Sequence, residues 1–298
     1  MIAGTGGGGT LYVVATPIGN LEDVSARALR VLGEVALIAA EDTRVTAKLL
    51  ARYGVSTPCR SFREQNAASA VPVLLERLAA GDDVALVCDA GTPGISDPGV
   101  ALVEAAAEAG FAVSPIPGPS ALAAAMSVAA LPGDGVRFVG FLPRGGKGRR
   151  ERLAELAADR SCSILYESPV RLAATLRDLS AACGARSAVV MRELTKIHEE
   201  IARGTLIELA ARFAGGTRGE IAIAVAGAPK LPPEAVDDDT LRSAVAEHLA
   251  AGMSARDAAA AAAVALGVPR KRAYAMAVKA AGERSLEGIG TGGAHRNY

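Results

Sequence analysis

Short aliphatic runs alternate along this chain with stretches whose apolar positions recur at helical spacing, and most runs end in polar residues mixed with Gly and Pro. Runs at 11–15, 35–39, 84–88 and 112–116 read as strands, and the stretches at 25–32, 44–53, 68–80 and 100–109 between them read as helices. This βα alternation predicts a mostly parallel sheet. After a Pro/Gly linker near 131–135, further runs at 137–141, 163–166, 187–191 and 220–226, with a helix over 205–213, predict a second α/β unit. Beyond a Pro- and acid-rich segment at 230–239 the pattern changes to three Ala-rich helices, 241–250, 254–266 and 270–281, broken by Gly252 and by Gly267-Val268-Pro269. They predict a bundle of helix-turn-helix size. The expected organisation is a flexible tail (1–10), an α/β domain (11–131), a second α/β domain (136–229), a small helical domain (240–282) and a disordered tail (283–298).

In an open α/β sheet, ligands bind at the carboxyl ends of strands, so the polar clusters that follow the runs carry the candidate chemistry. Val84-Ala85-Leu86-Val87-Cys88 stops at Asp89, and residues 89–99 are a long loop of Gly, Pro, Thr, Ser and Asp before a helix begins at Val100. Such a loop can bring bare backbone against a ligand, and it is longer than an ordinary βα connection. Comparable clusters lie at Thr16-Pro17-Ile18-Gly19-Asn20, at Glu41-Asp42-Thr43-Arg44, at Glu64-Gln65-Asn66, and at Pro117-Gly118-Pro119-Ser120-Ala121, where Ser120 can cap a helix. In the second unit the corresponding positions are Glu167-Ser168-Pro169, Arg192-Glu193-Leu194-Thr195-Lys196 and Gly227. Gly4 to Gly9 spells G-x-G-x-x-G but precedes a strand instead of following one, so it is not a dinucleotide fingerprint.

Charge narrows the partners. Lys plus Arg and Asp plus Glu number 32 each over 298 residues, so no global field favours a polyanion and nucleic acid would have to be met by local basic clusters. Two stand out. Arg144, Lys147, Arg149 and Arg150 lie on a Gly-rich run read as a flexible loop; Arg270, Lys271 and Arg272 open the last helix beside Tyr274, where cations disfavour the helix itself. Four dispersed Cys and three His give no metal or disulfide pattern. No apolar run reaches the roughly 18–20 residues of a membrane span and no export signal opens the chain, so a cytoplasmic protein is expected. Ser96 and Ser120 complete no G-x-S-x-G elbow and no His has a motif around it, which turns the reading from hydrolysis toward the binding of a polar cofactor.

Taken together, the motifs at 12–23, 40–44, 88–99, 117–121, 140–144 and 166–169 resemble the ribosomal RNA small subunit methyltransferase I family, a branch of the tetrapyrrole (corrin/porphyrin) methylase superfamily. The resemblance runs in order over about residues 11–227 and extends to the C-terminal helices. It implies a two-domain fold with a mostly parallel first sheet and a mixed second sheet, S-adenosylmethionine in the cleft, a homodimer, and 2′-O-methylation of a cytidine ribose in 16S rRNA. By motif, it implies that Pro17, Cys88, Asp89, Ala90, Gly91, Ile95, Ser120, Ala121, Glu167, Leu194, Thr195 and Gly227 meet the cofactor. RNA is expected at Arg44, Asn66 and the two basic clusters. Where the family reads Glu-His-Asn this chain has Glu64-Gln65-Asn66, so no imidazole acts there. Asp42 is the first candidate for the proton acceptor, with Glu41, Glu64 and Asp97 as rivals. A small-molecule tetrapyrrole methylase would share the cleft without needing the basic clusters, and a non-catalytic RNA-binding protein would keep the clusters without the cofactor.

Overall fold

The structure, a computed structural model, describes residues 8–229 and 236–289, in two compact units that part between Ala228 and Pro229. The first unit opens with β1 (Thr10–Val14), α1 (Ala26–Glu34), β2 (Leu37–Ala40), α2 (Thr43–Arg52), β3 (Cys59–Ser61), α3 (Ala67–Ala79), β4 (Val84–Val87), α4 (Val100–Glu108), β5 (Ala112–Ile116) and α5 (Ala121–Ala129). The five strands are all parallel, in the order β3-β2-β4-β1-β5. Helices cover both faces: α1 and α2 through Val31, Leu32, Leu49 and Leu50, α3 and α4 through Leu74, Leu78, Leu102 and Ala106. A strand buried on both sides has no polar face, which is why β4 reads Val-Ala-Leu-Val with all four residues buried. Parallel direction also brings every carboxyl end, and so every Gly/Pro loop, to one edge.

Helix α5 packs elsewhere. Its Ala125 and Ala129 join Ile164, Val189, Met191, Ala222 and Ala224 of a second sheet; small side chains let the helix lie close on the strands. That sheet follows in chain order as β6 (Val136–Phe141), α6 (Gly146–Ala158), β7 (Cys162–Glu167), α7 (Leu172–Cys183), β8 (Ser187–Arg192), β9 (Glu200–Thr205), α8 (Leu206–Arg212) and β10 (Ile221–Val225). Its order is β6-β7-β10-β8-β9, with β6 and β7 parallel and the remaining neighbours antiparallel. Leu172, Leu176 and Leu179 of α7 are fully buried against its other face, each contributing on the order of 1.5–3 kcal/mol relative to exposure.

Two features differ from the sequence reading here. The basic run is not a flexible loop: α6 starts at Gly146, and Arg149 lies on its buried side with Leu156, Leu153 being half-buried between them. The spacing 149, 153, 156 is a helical signal hidden behind Gly145-Gly146 and Gly148. Strand β9 escapes the sequence pattern because Glu-Ile-Ala-Arg-Gly-Thr has few β-branched residues; only its end is legible, as the start of α8, where Thr205 and Glu208 form a capping box.

The second unit holds α9 (Asp238–Ala250), α10 (Ala255–Leu266) and α11 (Arg270–Ile289). Its core is small: Leu241, Val245, Ala259, Ala262, Ala263, Val268, Ala273 and Ala277. Helix α11 runs past the end expected at 281, because one Gly costs a helix only about 1 kcal/mol and Glu, Arg and Leu follow Gly282. Residues 1–7, 230–235 and 290–298, which include parts of the expected tails and linker, lie outside the described residues. Among the described residues no helix is long and apolar enough to cross a membrane.

Candidate active site

The loops after β1, β4 and β5 are tied to one another. Thr16 and Gly91 exchange backbone hydrogen bonds at 2.8 and 3.0 Å, the Thr16 hydroxyl donates to the Cys88 carbonyl at 3.1 Å, and the Thr92 hydroxyl donates to the Pro119 carbonyl at 3.1 Å. Gly91 sits at φ +83, a conformation that glycine adopts without strain. These loops form one wall of a cavity of about 400 Å³, through Ile18, Ala90, Gly91, Ile95, Asp97, Ser120 and Ala121. The opposite wall belongs to the second sheet: Phe141, Tyr166, Glu167, Ser168, Met191, Leu194 and residues 219–222. The volume lies within the range of small-molecule sites.

The opposite wall is held by a strained strap. Glu193 and Thr195, on either side of the cavity-lining Leu194, have φ +54 and +67, conformations that persist only where the surroundings enforce them. Enforcement comes from Lys196, ion-paired to Glu193 at 2.9 Å and Glu220 at 3.0 Å, and from the Glu193 carboxylate, which accepts the Glu220 N–H at 2.8 Å. A Cβ on Gly19 would meet Lys196 at 2.4 Å and Thr195 at 3.0 Å. The strap therefore closes directly onto the Pro17 loop.

Carboxylates dominate the electrostatics. The cavity lining includes Asp97, Glu167 and Glu220 and no Lys or Arg. Burial, with repulsion from Glu41 and then Asp89, pushes the Asp97 carboxyl up to about 6. Glu41 is raised by its own burial and by Asp89 and Asp42. Cys88 is held a protonated thiol by burial and by Asp97, its Sγ–H donating to the Ala90 carbonyl at 3.2 Å.

Asp42 behaves differently. It caps α2, accepts from the Arg44 backbone at 2.9 Å and pairs with the Arg44 side chain at 2.6 Å. The Arg44 side chain, chiefly, holds its carboxyl well below the usual range. A carboxylate so committed is a weak base, and Asp42 is not on the lining, whereas its rival Asp97 is.

Of the residues expected at the cofactor, Ala90, Gly91, Ile95, Ser120, Ala121, Glu167 and Leu194 line the cavity. Pro17, Cys88, Asp89 and Thr195 are not on the lining; Asp89 accepts the Asp42 N–H at 2.8 Å and its own N–H donates to Glu41 at 3.3 Å. The Glu167 side chain is turned away, its carboxylate accepting from the Ser168 N–H at 2.8 Å and the Thr175 hydroxyl at 2.6 Å and pairing with Arg171 at 3.3 Å. Gly227, also expected at the cofactor, is not on the lining. Strand β10 is antiparallel to its neighbours, so its start, not its end, meets the cavity; Gly227 donates to the Pro132 carbonyl at 3.1 Å and packs on Arg160. Residues 219–222, Phe141, Tyr166 and Met191 are lining residues outside the expected set; for 219–222 the missing information is strand direction.

Among the expected RNA contacts, Arg144, Lys147 and Arg150 are exposed, Lys147 pairing weakly with Glu151 at 3.5 Å. Arg149 is not available: it is 9% exposed and bonds Asp178, Thr175 and the Pro143 carbonyl. Asn66 orders its own turn through the Arg63 N–H and the Ser61 carbonyl, and Arg44, though exposed, pairs with Asp42. In the second unit Arg270 and Lys271 are exposed, while Arg272 bonds Asp238 and the Val236 carbonyl. A groove there joins Arg270, Lys271 and Tyr274 to Arg256, a residue whose position on α10 forms no cluster in the sequence.

A parallel sheet and a mixed sheet facing one cavity define the class. The family model described as "Tetrapyrrole (Corrin/Porphyrin) Methylases" matches residues 10–210. The fold is shared by uroporphyrin-III C-methyl transferase from Thermus thermophilus, a structure complexed with S-adenyl homocysteine: TM-score 0.54, 19% identity, 72% of this chain and 97% of that one. "Ribosomal RNA small subunit methyltransferase I" of Synechocystis sp. is 44% identical over 273 residues, 91% of this chain and 98% of the relative. The protein of the same name from Thermotoga maritima is 46% identical over 220 residues, 74% of this chain and 99% of its own length. The chain belongs to the ribosomal RNA small subunit methyltransferase I family of the tetrapyrrole methylases.

Proposed function

We propose that this protein is an S-adenosylmethionine-dependent methyltransferase of small-subunit ribosomal RNA, acting on the 2′-oxygen of a cytidine ribose. The observation that carries the cofactor reading is a small-molecule cavity walled mainly by apolar side chains, with the Asp97 carboxyl and no cation on its lining. That lining suits a ligand bearing sulfonium and ammonium charge and repels a bare phosphate. Ser168 adds a buried hydroxyl with no partner among the described residues, a group that a ligand or water completes. When bound, S-adenosylmethionine supplies an electrophilic methyl group. Backbone around Ala90 and Gly91 with Ile18, Ile95, Met191 and Leu194 would hold it. Asp97 accepts the ribose hydroxyl proton as the oxygen attacks, its raised affinity for protons matched to neutral pH; the tied loops supply positioning.

RNA is met outside the cavity by Arg144 and Arg150 and, in the second unit, by Arg256, Arg270 and Lys271 with Tyr274, which is 51% exposed. The homodimer that the resemblance implies is to be checked by light scattering.

Calorimetric titration with S-adenosylmethionine tests the cofactor reading: one site per chain is expected, and no heat of binding by folded protein would remove it. Replacing Arg256, Arg270 and Lys271 with Ala should lower the log–log salt slope of RNA binding by roughly 0.7–0.9 for each phosphate no longer neutralised; an unchanged slope would leave those cations as a solvated face.

A further inference from the structure

We infer that Phe141 is a stacking platform for the base of the nucleotide that is methylated, so the cavity takes an unpaired nucleobase beside the cofactor; this rests on the reading that RNA is the acceptor. Among the five Phe of the chain, Phe141 alone is exposed, at 55%, and it lies on the cavity wall. Its orientation is built. Along a regular strand, residues three apart face opposite sides of the sheet, yet Phe138 and Phe141 both meet Tyr166, with ring centroids at 5.0 and 5.8 Å. A bulge makes this possible: Phe138 pairs with Ile164 and Gly140 with Leu165, leaving Val139 as an extra residue. Gly140 takes up the bulge at φ +67. Bulges beside active sites re-aim side chains, and here the one re-aimed is an aromatic ring turned toward the cavity.

The contact with Tyr166 is edge-to-face, at 66°, so it fixes the Phe141 ring and leaves at least one face open. A π face of this kind accepts any base, and unpaired nucleotides are held in this way on aromatic side chains. The surroundings sort the rest of a nucleotide. Asp97 is on the same cavity lining, where the ribose hydroxyl must lose its proton. Arg144, exposed three residues beyond Phe141, is placed for a backbone phosphate, which the cation-free lining does not admit.

Phe141→Ala, Phe141→Leu and Phe141→Tyr separate stacking from bulk. Each is measured for S-adenosylmethionine affinity by calorimetry and for single-turnover transfer to unmodified small-subunit rRNA, with thermal melting as the folding control. All three should bind S-adenosylmethionine like wild type. Transfer efficiency should fall about 10-fold or more in the Ala and Leu variants, the size expected when one stacking ring is removed, and stay near wild type with Tyr. A Leu variant as active as wild type would overturn the inference, as would cofactor affinity falling in step with rate, which would assign the ring to the cofactor. If wild type binds S-adenosylmethionine but transfers nothing to rRNA, the functional reading falls and this inference with it.

Discussion

The two sheets reach the same cavity by different means. The first is all parallel, so every strand delivers its loop to one edge, and the site receives backbone, glycines and the Asp97 carboxyl, with Glu41 and Asp89 nearby, from loops bound to one another. The second is mixed, and what it presents is side chains backed by a buried polar network: Glu167 bonded to Thr175, Thr175 to Arg149, Arg149 to Asp178. One sheet carries the chemistry on loops; the other carries shape on a packed frame. Changes in the first should therefore alter rate more than stability, and changes behind the second the reverse.

Asp97→Asn gives the largest expected effect: single-turnover transfer at saturating S-adenosylmethionine falls roughly 10²–10⁴-fold, the usual worth of a general base, with melting temperature little changed. Asp42→Asn should leave turnover within a few-fold, because that carboxylate is already committed to Arg44. If the two variants swap outcomes, the proton acceptor is Asp42. Next in size is pH. Since the Asp97 carboxyl is raised to about 6, it holds its proton below that value and cannot accept another. The wild-type rate should thus rise about tenfold per unit up to about pH 6 and then level off, and a flat profile through pH 5–7 would exclude Asp97.

Smaller effects belong to the second sheet. Thr175→Val removes a hydroxyl that is 1% exposed and bonded on both sides, leaving Glu167 and Arg149 each short of a partner. About 1–3 kcal/mol of stability should disappear, seen as a lower urea midpoint, with transfer per folded molecule kept. Gly227→Ala should likewise destabilise, since a Cβ there would sit 1.9 Å from the Arg160 carbonyl oxygen, while cofactor affinity is retained. An affinity loss without destabilisation would return Gly227 to the site.

What is legible in the sequence follows the same division. In a parallel sheet, a strand's end in sequence is its end at the site, so the loops that carry Ala90, Gly91, Ile95, Ser120 and Ala121 can be found from runs alone, and the motif resemblance picks out the residues within them. In the mixed sheet the rule fails for β10, where the start faces the cavity, and residues 219–222 stand where Gly227 is expected. Phe141 lies in a motif, yet its direction depends on a bulge that alternation does not reveal. Asp42 and Asp97 carry the same carboxyl group and differ only in neighbours: Arg44 beside one, burial and like charge around the other. Arg149 stands among exposed cations in sequence and is buried by the phase of α6.

The most direct test of the central reading is to incubate small ribosomal subunits lacking the modification with the protein and S-adenosylmethionine, and to locate new methyl groups in the rRNA by mass spectrometry. One methyl on the ribose of a cytidine with wild type, and almost none in the same time with Asp97→Asn, is the predicted result. No methyl from wild-type protein that binds S-adenosylmethionine, or a methyl on a base instead of a ribose, would contradict it.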